Sequence, residues 1–303
     1  MPSLPVSRRA LLTQAVSLAA AMPLAAAKSP IHREPGVHLR LALNAYSFDK
    51  PLRAGTMTLE DVIHFCAKHG VDALDATGYY FPGYPNVPAD EYIYNLKRIA
   101  FLNGVQISGT GVRNDFAVAD KAKRDADIQL VKNWIDVARK LGAPVIRVFS
   151  GVDRPAGFTF DQAMAWMVPA FQECAAYGKK HGVILGLQQH NDFLKTADET
   201  IQLMEAVNPA APGWFGCILD VGSLRVGDPY AEIEKLVPYA VSWQVKESVG
   251  AGPKQVPVDL YKVKAAIYKV GYRGVLPFEA LGAGDPGEKV ANFLGQIRTV
   301  FGI

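Results

Sequence analysis

From residue 38 onward the chain alternates short apolar runs with longer amphipathic stretches, and the alternation repeats eight times. The apolar runs are His38–Ala45, Ala73–Thr77, Val105–Gly109, Val145–Ser150, Val183–His190, Phe215–Val221, Val241–Val245 and Val275–Ala280. Runs of this length bounded by turn residues read as buried strands. Between them Leu59–His69, Glu91–Leu102, Ala122–Leu141, Phe160–His181 and Pro286–Phe301 carry apolar residues at helical spacing. Four of these segments or their neighbours stop at a glycine (Gly70, Gly104, Gly142 and Gly182), the residue that best adopts the left-handed conformation past a last helical turn. Eight strand–helix units in series predict an α/β fold of the (β/α)₈ TIM-barrel type, which needs about 250 residues. A doubly wound sheet is disfavoured because no G-x-G-x-x-G follows the first strand.

The N-terminus stands apart. Arg8 and Arg9 precede an uncharged run that ends in Ala25-Ala26-Ala27. A twin arginine, a short apolar segment and an A-x-A site are the parts of a Tat export signal. Pro23 and Gln14 interrupt the run, and its 18 residues from Ala10 are at the lower limit for a membrane span, so an anchor is the weaker reading. The expected division is therefore a signal over 1–27 and one barrel domain over 28–303, exported to the periplasm, with no stable membrane insertion. Residues 28–303 hold 30 basic and 29 acidic side chains, which excludes the basic footprint of a nucleic-acid binder and suggests a small uncharged substrate. Three cysteines, Cys66, Cys174 and Cys217, match no disulfide framework or zinc spacing and read as core thiols.

In a TIM barrel, chemistry sits where strands end and βα loops begin. Asn44, Asp75, Gln188, His190, Asp220, Gln244, Lys246 and Glu279 fall at such places. Side chains alternate along a strand, so Gln188 shares a face with His190, and Gln244 with Ser242 and Lys246. If these faces point inward, Gln188, Asp220, Gln244 and Glu279 converge. Two isolated carboxylates would repel, and a divalent cation with a taste for hard oxygen ligands, Mg²⁺ or Mn²⁺, would remove the conflict.

The segments Leu185-Gly-Leu-Gln-Gln-His190, Ile218-Leu-Asp-Val-Gly222, Ser242-Trp-Gln-Val-Lys-Glu247 and Gly271-Tyr-Arg-Gly-Val-Leu-Pro-Phe-Glu279 together resemble the xylose isomerase-like TIM barrels. That superfamily includes sugar isomerases, sugar 3-epimerases, inosose-processing enzymes and endonuclease IV. The resemblance covers nearly the whole chain after the signal. It implies a divalent metal held by Glu, Asp, His and Glu, which fall here on Gln188, Asp220, Gln244 and Glu279. Two of the four are changed: the site loses one carboxylate and its only imidazole. The resemblance also implies proton transfer by two glutamates on opposite faces of a sugar. With glutamine at 188, Glu279 remains as a base, and His190 or Lys246 becomes the second acid–base group.

The expected function is a sugar or keto-sugar isomerase or epimerase that removes a proton beside a carbonyl. A lyase or hydratase on 3-keto-glycosides shares that first step, and a non-catalytic sugar-binding barrel with a degenerate metal site is a third reading. An endonuclease is disfavoured, because Ser223 and Gln244 stand where that branch has histidines. Asp220 and Glu279 could alternatively cap loops or pair with Arg147, which inside a barrel needs a carboxylate from the protein or the substrate; a structural ion pair is the expectation. Asn44, Asp75, Tyr79, Arg113 and Arg147 are candidate substrate contacts. Tyr79 lies in the aromatic loop Thr77–Pro85, whose rings could stack on a sugar or simply pack. Glu247 is out of phase with Lys246 and is expected away from the reacting groups. An oligomer is compatible with these features.

Overall fold

The structure is a computed structural model and describes residues 31–190, 192–250 and 254–303. The export signal over 1–27 lies outside the described residues. Eight parallel strands close into a barrel: β1 (His38–Asn44), β2 (Ala73–Thr77), β3 (Gln106–Gly111), β4 (Val145–Val148), β5 (Ile184–Gln188), β6 (Phe215–Asp220), β7 (Ala240–Lys246) and, last in the ring, β10 (Arg273–Glu279), which pairs with both β1 and β7. The eight apolar runs read from the sequence are these eight strands. Burial on both faces explains why they are nearly continuous in apolar residues instead of alternating.

Helices α1 (Asp49–Arg53), α2 (Leu59–Lys68), α3 (Asp90–Leu102), α4 (Lys121–Leu141), α5 (Phe160–His181), α6 (Ala197–Val207), α7 (Pro229–Leu236), α8 (Leu260–Lys269) and α9 (Pro286–Phe301) surround the barrel. Their starts are set locally. Thr58 with Asp61 and Thr159 with Gln162 form capping boxes on α2 and α5, and Asp120, Asp228, Asp259 and Asp285 accept first-turn amides on α4, α7, α8 and α9. α4 turns Val131, Trp134, Ile135, Ala138 and Leu141 to the core, each large side chain contributing about 1.5–3 kcal/mol by burial.

Two short strands, β8 (Ser248–Val249) and β9 (Val256–Pro257), form an antiparallel hairpin in the connection after β7; nothing in the sequence periodicity announces it. The three cysteines are free and buried, and burial pushes the Cys66 thiol up to about 12 and the other two further, so all three are inert core groups. Among the described residues no helix is long and apolar enough to cross a membrane.

The barrel interior is unusually polar towards its C-terminal end. Glycines make room for it. A side chain on Gly111 would meet Arg147 Nε at 2.5 Å, and one on Gly109 would come to 3.4 Å from Asp75 Oδ2, so the inward face of β3 is a bare strip beneath its neighbours' long polar groups. A register shift beside Asp75, with Leu74 opposite Ile107 and Asp75 opposite Gly109, brings both glycines to that face.

Candidate active site

Asp220, at the end of β6, is the hub of the interior network. Its Oδ2 accepts from Gln188 Nε2 at 2.7 Å, Ser223 Oγ at 2.8 Å and Lys246 Nζ at 2.8 Å. Lys246 Nζ also lies 3.6 Å from Glu279 Oε1. Register explains the placement: Asp220 is level with Gln244, and Glu279 with Lys246, so three adjacent strands deliver one ammonium between two carboxylates. Gly222 lets the lysine lie flat, since a side chain there would meet Lys246 Cδ at 2.6 Å. Gln244 donates through Nε2 to Glu279 Oε2 and accepts from Asn44 Nδ2 at 3.1 Å. Asn44 in turn accepts from Tyr46 N and Thr77 Oγ1. On the other side Arg147 Nη1 donates to Gln188 Oε1 at 3.2 Å. The result is a continuous arc from Arg147 through Gln188, Asp220, Lys246, Glu279 and Gln244 to Asn44.

Burial and charge pull these groups apart in pKa. Burial favours neutral Asp220, but Lys246 and His190 outweigh it and hold the carboxyl below its usual range. Burial also works against the Lys246 charge, and Asp220 and Glu279 overcome it, so the ammonium is held above the usual lysine range. For Glu279 burial wins and raises the pKa, opposed by Lys246 and reinforced by Asp220. One carboxylate is thereby fixed as a permanent anion, and the other is the more basic of the pair.

The metal implied by the sequence resemblance can be tested against this arc. Gln188, Asp220, Gln244 and Glu279 do converge. Yet each glutamine turns its amide NH₂ to a carboxylate, and its carbonyl oxygen is already taken by Arg147 or Asn44. The ammonium of Lys246 occupies the space between Asp220 and Glu279, where an ion would repel it. Among the described residues no three His, Cys, Asp or Glu side chains gather in a metal-binding group. The donor set therefore does not fit the Mg²⁺ or Mn²⁺ that four converging oxygens suggested: a cation already supplied by the chain does the neutralising.

Above the arc opens a cavity of about 620 Å³. Glu279 and Lys246 form part of its floor, and Tyr79, Arg113, Arg147, Gln188 and His190 line it as the sequence led one to expect. Asn44 and Asp75 do not: Asn44 is consumed by its hydrogen bonds, and Asp75 lies beneath the mouth over Gly109, 4% exposed. Burial, countered by Arg147 and reinforced by Glu279, pushes the Asp75 carboxyl up to about 6. Arg147 also departs from expectation. Among the described residues it forms no ion pair, and its Nε and Nη2 have no hydrogen-bond partner. Instead its guanidinium lies against the Tyr79 and Phe149 rings, 5.2 and 4.9 Å from their centroids.

The aromatic loop after β2 divides its labour. Phe81 and Tyr84 pack edge-on against buried Trp134, while Tyr79 and Tyr84 face the cavity. Arg113 pairs with Asp192 at 3.1 Å, and His190 Nδ1 lies 3.4 Å from the same carboxylate. Glu247 points away from the cavity floor and accepts from the amides of Leu281 and Gly282 at 2.7 and 2.9 Å, in keeping with its phase. Tyr46, Arg53 and Arg225 also line the cavity and were not singled out from the sequence. Tyr46 and Arg225 lie shortly after strand ends, and that position is the signal that could have found them; Arg53, at the end of α1, carries no such signal.

The xylose isomerase-like TIM barrel family matches residues 63–295, and the chain belongs to that family. No curated protein matches the sequence. Among solved structures, D-psicose 3-epimerase in the presence of D-fructose superposes with a TM-score of 0.73 at 16% identity, over 87% of this chain and 100% of that one. The 3-keto-D-glucoside 4-epimerase of E. coli gives 0.67 at 10%, over 86% and 99%. The IolI protein with a bound zinc atom gives 0.70 at 15%, over 87% and 100%. At these identities the shared property is the fold.

Proposed function

We propose that this chain is a sugar isomerase or epimerase that moves a proton on the carbon beside a carbonyl, with Lys246 in the electrostatic role a divalent ion takes elsewhere in the fold. The observation that carries the reading is the Lys246 ammonium held between Asp220 and Glu279 on the cavity floor. The epimerases that share the fold support the choice of substrate class.

Glu279 is the base. Its carboxylate takes the proton from the α-carbon, and the electron pair of the broken C–H bond moves to the carbonyl oxygen, giving an enediolate. Lys246 donates a hydrogen bond to that oxygen, and its charge is already oriented by Asp220 before reaction begins. Gln244 fixes one oxygen of Glu279 and leaves the other towards Lys246 and the cavity. Return of the proton from Glu279 to the neighbouring carbon, with the α-hydroxyl proton passing to the former carbonyl oxygen as the new carbonyl forms, isomerises; delivery of a proton to the original carbon from His190, whose ring is steadied by Asp192 and Phe149, comes from another direction and inverts.

Incubation with candidate aldoses and ketoses in D₂O tests the reading. Deuterium should enter one carbon-bound position as product forms. Release of water or an alcohol in place of a rearranged sugar would identify a lyase, and sugar binding without exchange at any carbon would identify a non-catalytic barrel.

The twin-arginine segment supports export as the chain's route to its substrate. A reporter fused behind residues 1–27 should reach the periplasm, and Arg8→Lys with Arg9→Lys should retain it in the cytoplasm.

A further inference from the structure

Five cationic residues line the cavity (Arg53, Arg113, Arg147, Arg225 and Lys246) against a single carboxylate, Glu279. Three of the five have partners: Arg53 pairs with Asp49, Arg113 with Asp192, and Lys246 with Asp220 and Glu279. Arg147 and Arg225 form no ion pair among the described residues. The case of Arg147 is the more telling. It is 6% exposed, its contact through Nη1 is to the neutral amide oxygen of Gln188, and its other nitrogens have no partner. Burial works against its charge, and Tyr79 with the carboxyls of Asp75 and Glu279 more than offsets that without any carboxylate at ion-pair distance, so the guanidinium stays charged and its fork is left to meet an anion that a ligand brings into contact. Arg113 stands 4.4 Å from the centroid of the Phe149 ring that Arg147 also touches, so two guanidiniums of the cavity lining lie against one ring.

The anion can be narrowed. In this fold phosphate is commonly held by amides of the loops after the seventh and eighth strands. Here two amides after the eighth strand, those of Leu281 and Gly282, are already occupied by the carboxylate of Glu247. The unpaired charge lies elsewhere, on β4 and in the loop after β6, as guanidinium forks that grip a planar carboxylate without the ring of loop amides with which this fold commonly holds phosphate, although the fork itself matches either anion.

We infer that the substrate of this cavity is a sugar acid, whose carboxylate binds between Arg147 and Arg113 with Arg225 at the rim while its carbonyl end reaches Lys246 and Glu279. This rests on the proton-transfer reading for its choice of a sugar. It proposes a charged substrate in place of the uncharged one that the nearly neutral net charge suggested: the charge is balanced over residues 28–303 but not in the lining of the cavity.

Calorimetric titration of the purified protein with matched ligands tests the inference: D-glucose with D-glucuronate, D-galactose with D-galacturonate, D-fructose with D-fructuronate, and the 6-phosphates of glucose and fructose. At least one uronate should bind tenfold or more tighter than its neutral parent. Arg225→Gln, at an exposed position, should reduce that preference several-fold, and Arg147→Gln should abolish it; if the latter does not fold, Arg113→Gln serves in its place. Equal binding within every pair, no saturable binding of any uronate, or a preference for the phosphates would overturn the inference. A uronate that binds in this way but exchanges no carbon-bound proton in D₂O would defeat the proposed reaction and leave the carboxylate site standing. Exchange on neutral sugars without a preference for acids would do the reverse.

Discussion

Substituting Lys246 by methionine takes one positive charge from between two buried carboxylates. Removing one partner of such a cluster destabilises by about 3–5 kcal/mol, less if Glu279 takes up a proton to compensate. It also removes the donor that receives the developing oxyanion, worth roughly 10²–10³ in turnover for a comparable group. The variant should therefore fold but lose at least that factor in kcat, measured with whichever sugar proves active. Because the chain's own ammonium does the neutralising, dialysis of the parent protein against a chelator should leave kcat within twofold. A large loss that Mn²⁺ restores would show that an ion displaces the lysine.

Asp75 offers a second residue-level test, on stability. Its folded-state pKa of about 6 lies above the ordinary value of about 3.9, so the fold favours the neutral acid. That contribution is complete below pH about 4 and is lost as the pH rises through about 6, roughly 3 kcal/mol across the window. Asp75→Asn keeps the shape and stays neutral. Urea unfolding of the two proteins should coincide near pH 4 and diverge in favour of the asparagine variant by pH 7.5. Parallel pH profiles would mean that Asp75 is paired more closely with Arg147 than the geometry places it.

At the scale of elements, what the sequence made legible follows from burial. All eight strands are enclosed on both faces, so each announces itself as an apolar run, and the helices between them carry their own caps and glycine stops. Phase along β7 correctly placed Gln244 and Lys246 on one face, because alternation is a property of a single strand. It could not say which carboxylate Lys246 meets, since that depends on register between strands. The bare strip on β3 was hidden for the same reason: Gly109 and Gly111 look like an ordinary strand end until the shift beside Asp75 turns them inward under Arg147. Arg225 was missed because loops have no period to read, and Arg53 because it closes a five-residue helix too short to show one. The strip has a measurable consequence. Gly111→Ala would drive a methyl group into Arg147 Nε and Cβ at 2.5 and 2.8 Å. The expected cost is about 1–3 kcal/mol of overpacking strain, together with a loss of uronate affinity as the guanidinium is displaced. A thermal melt and a titration on the same sample separate the two effects, and unchanged binding would show that Arg147 does not contact ligand.

For the whole molecule, net charge conceals the distribution that governs capture. Residues 28–303 are nearly balanced, yet the cavity of about 620 Å³ at the C-terminal end of the barrel concentrates arginine. A cleft lined by one sign of charge with low-dielectric walls focuses its field, and the attraction it exerts on an approaching anion is screened over about 8 Å at physiological salt. The two unpaired arginines should respond differently. Arg225 is exposed, so its pull weakens as salt rises; Arg147 is buried among Tyr79, Phe149 and Gln188 and is shielded from the ion atmosphere. For a sugar acid, kcat/KM should fall on the order of tenfold between 20 and 500 mM NaCl and then level off, with kcat unchanged. Arg225→Gln should flatten the dependence, whereas Arg147→Gln should lower kcat/KM at every salt concentration and leave the slope intact. A slope that survives Arg225→Gln would place the steering charge outside the cavity, and a neutral sugar with the same slope would show that charge does not select the substrate.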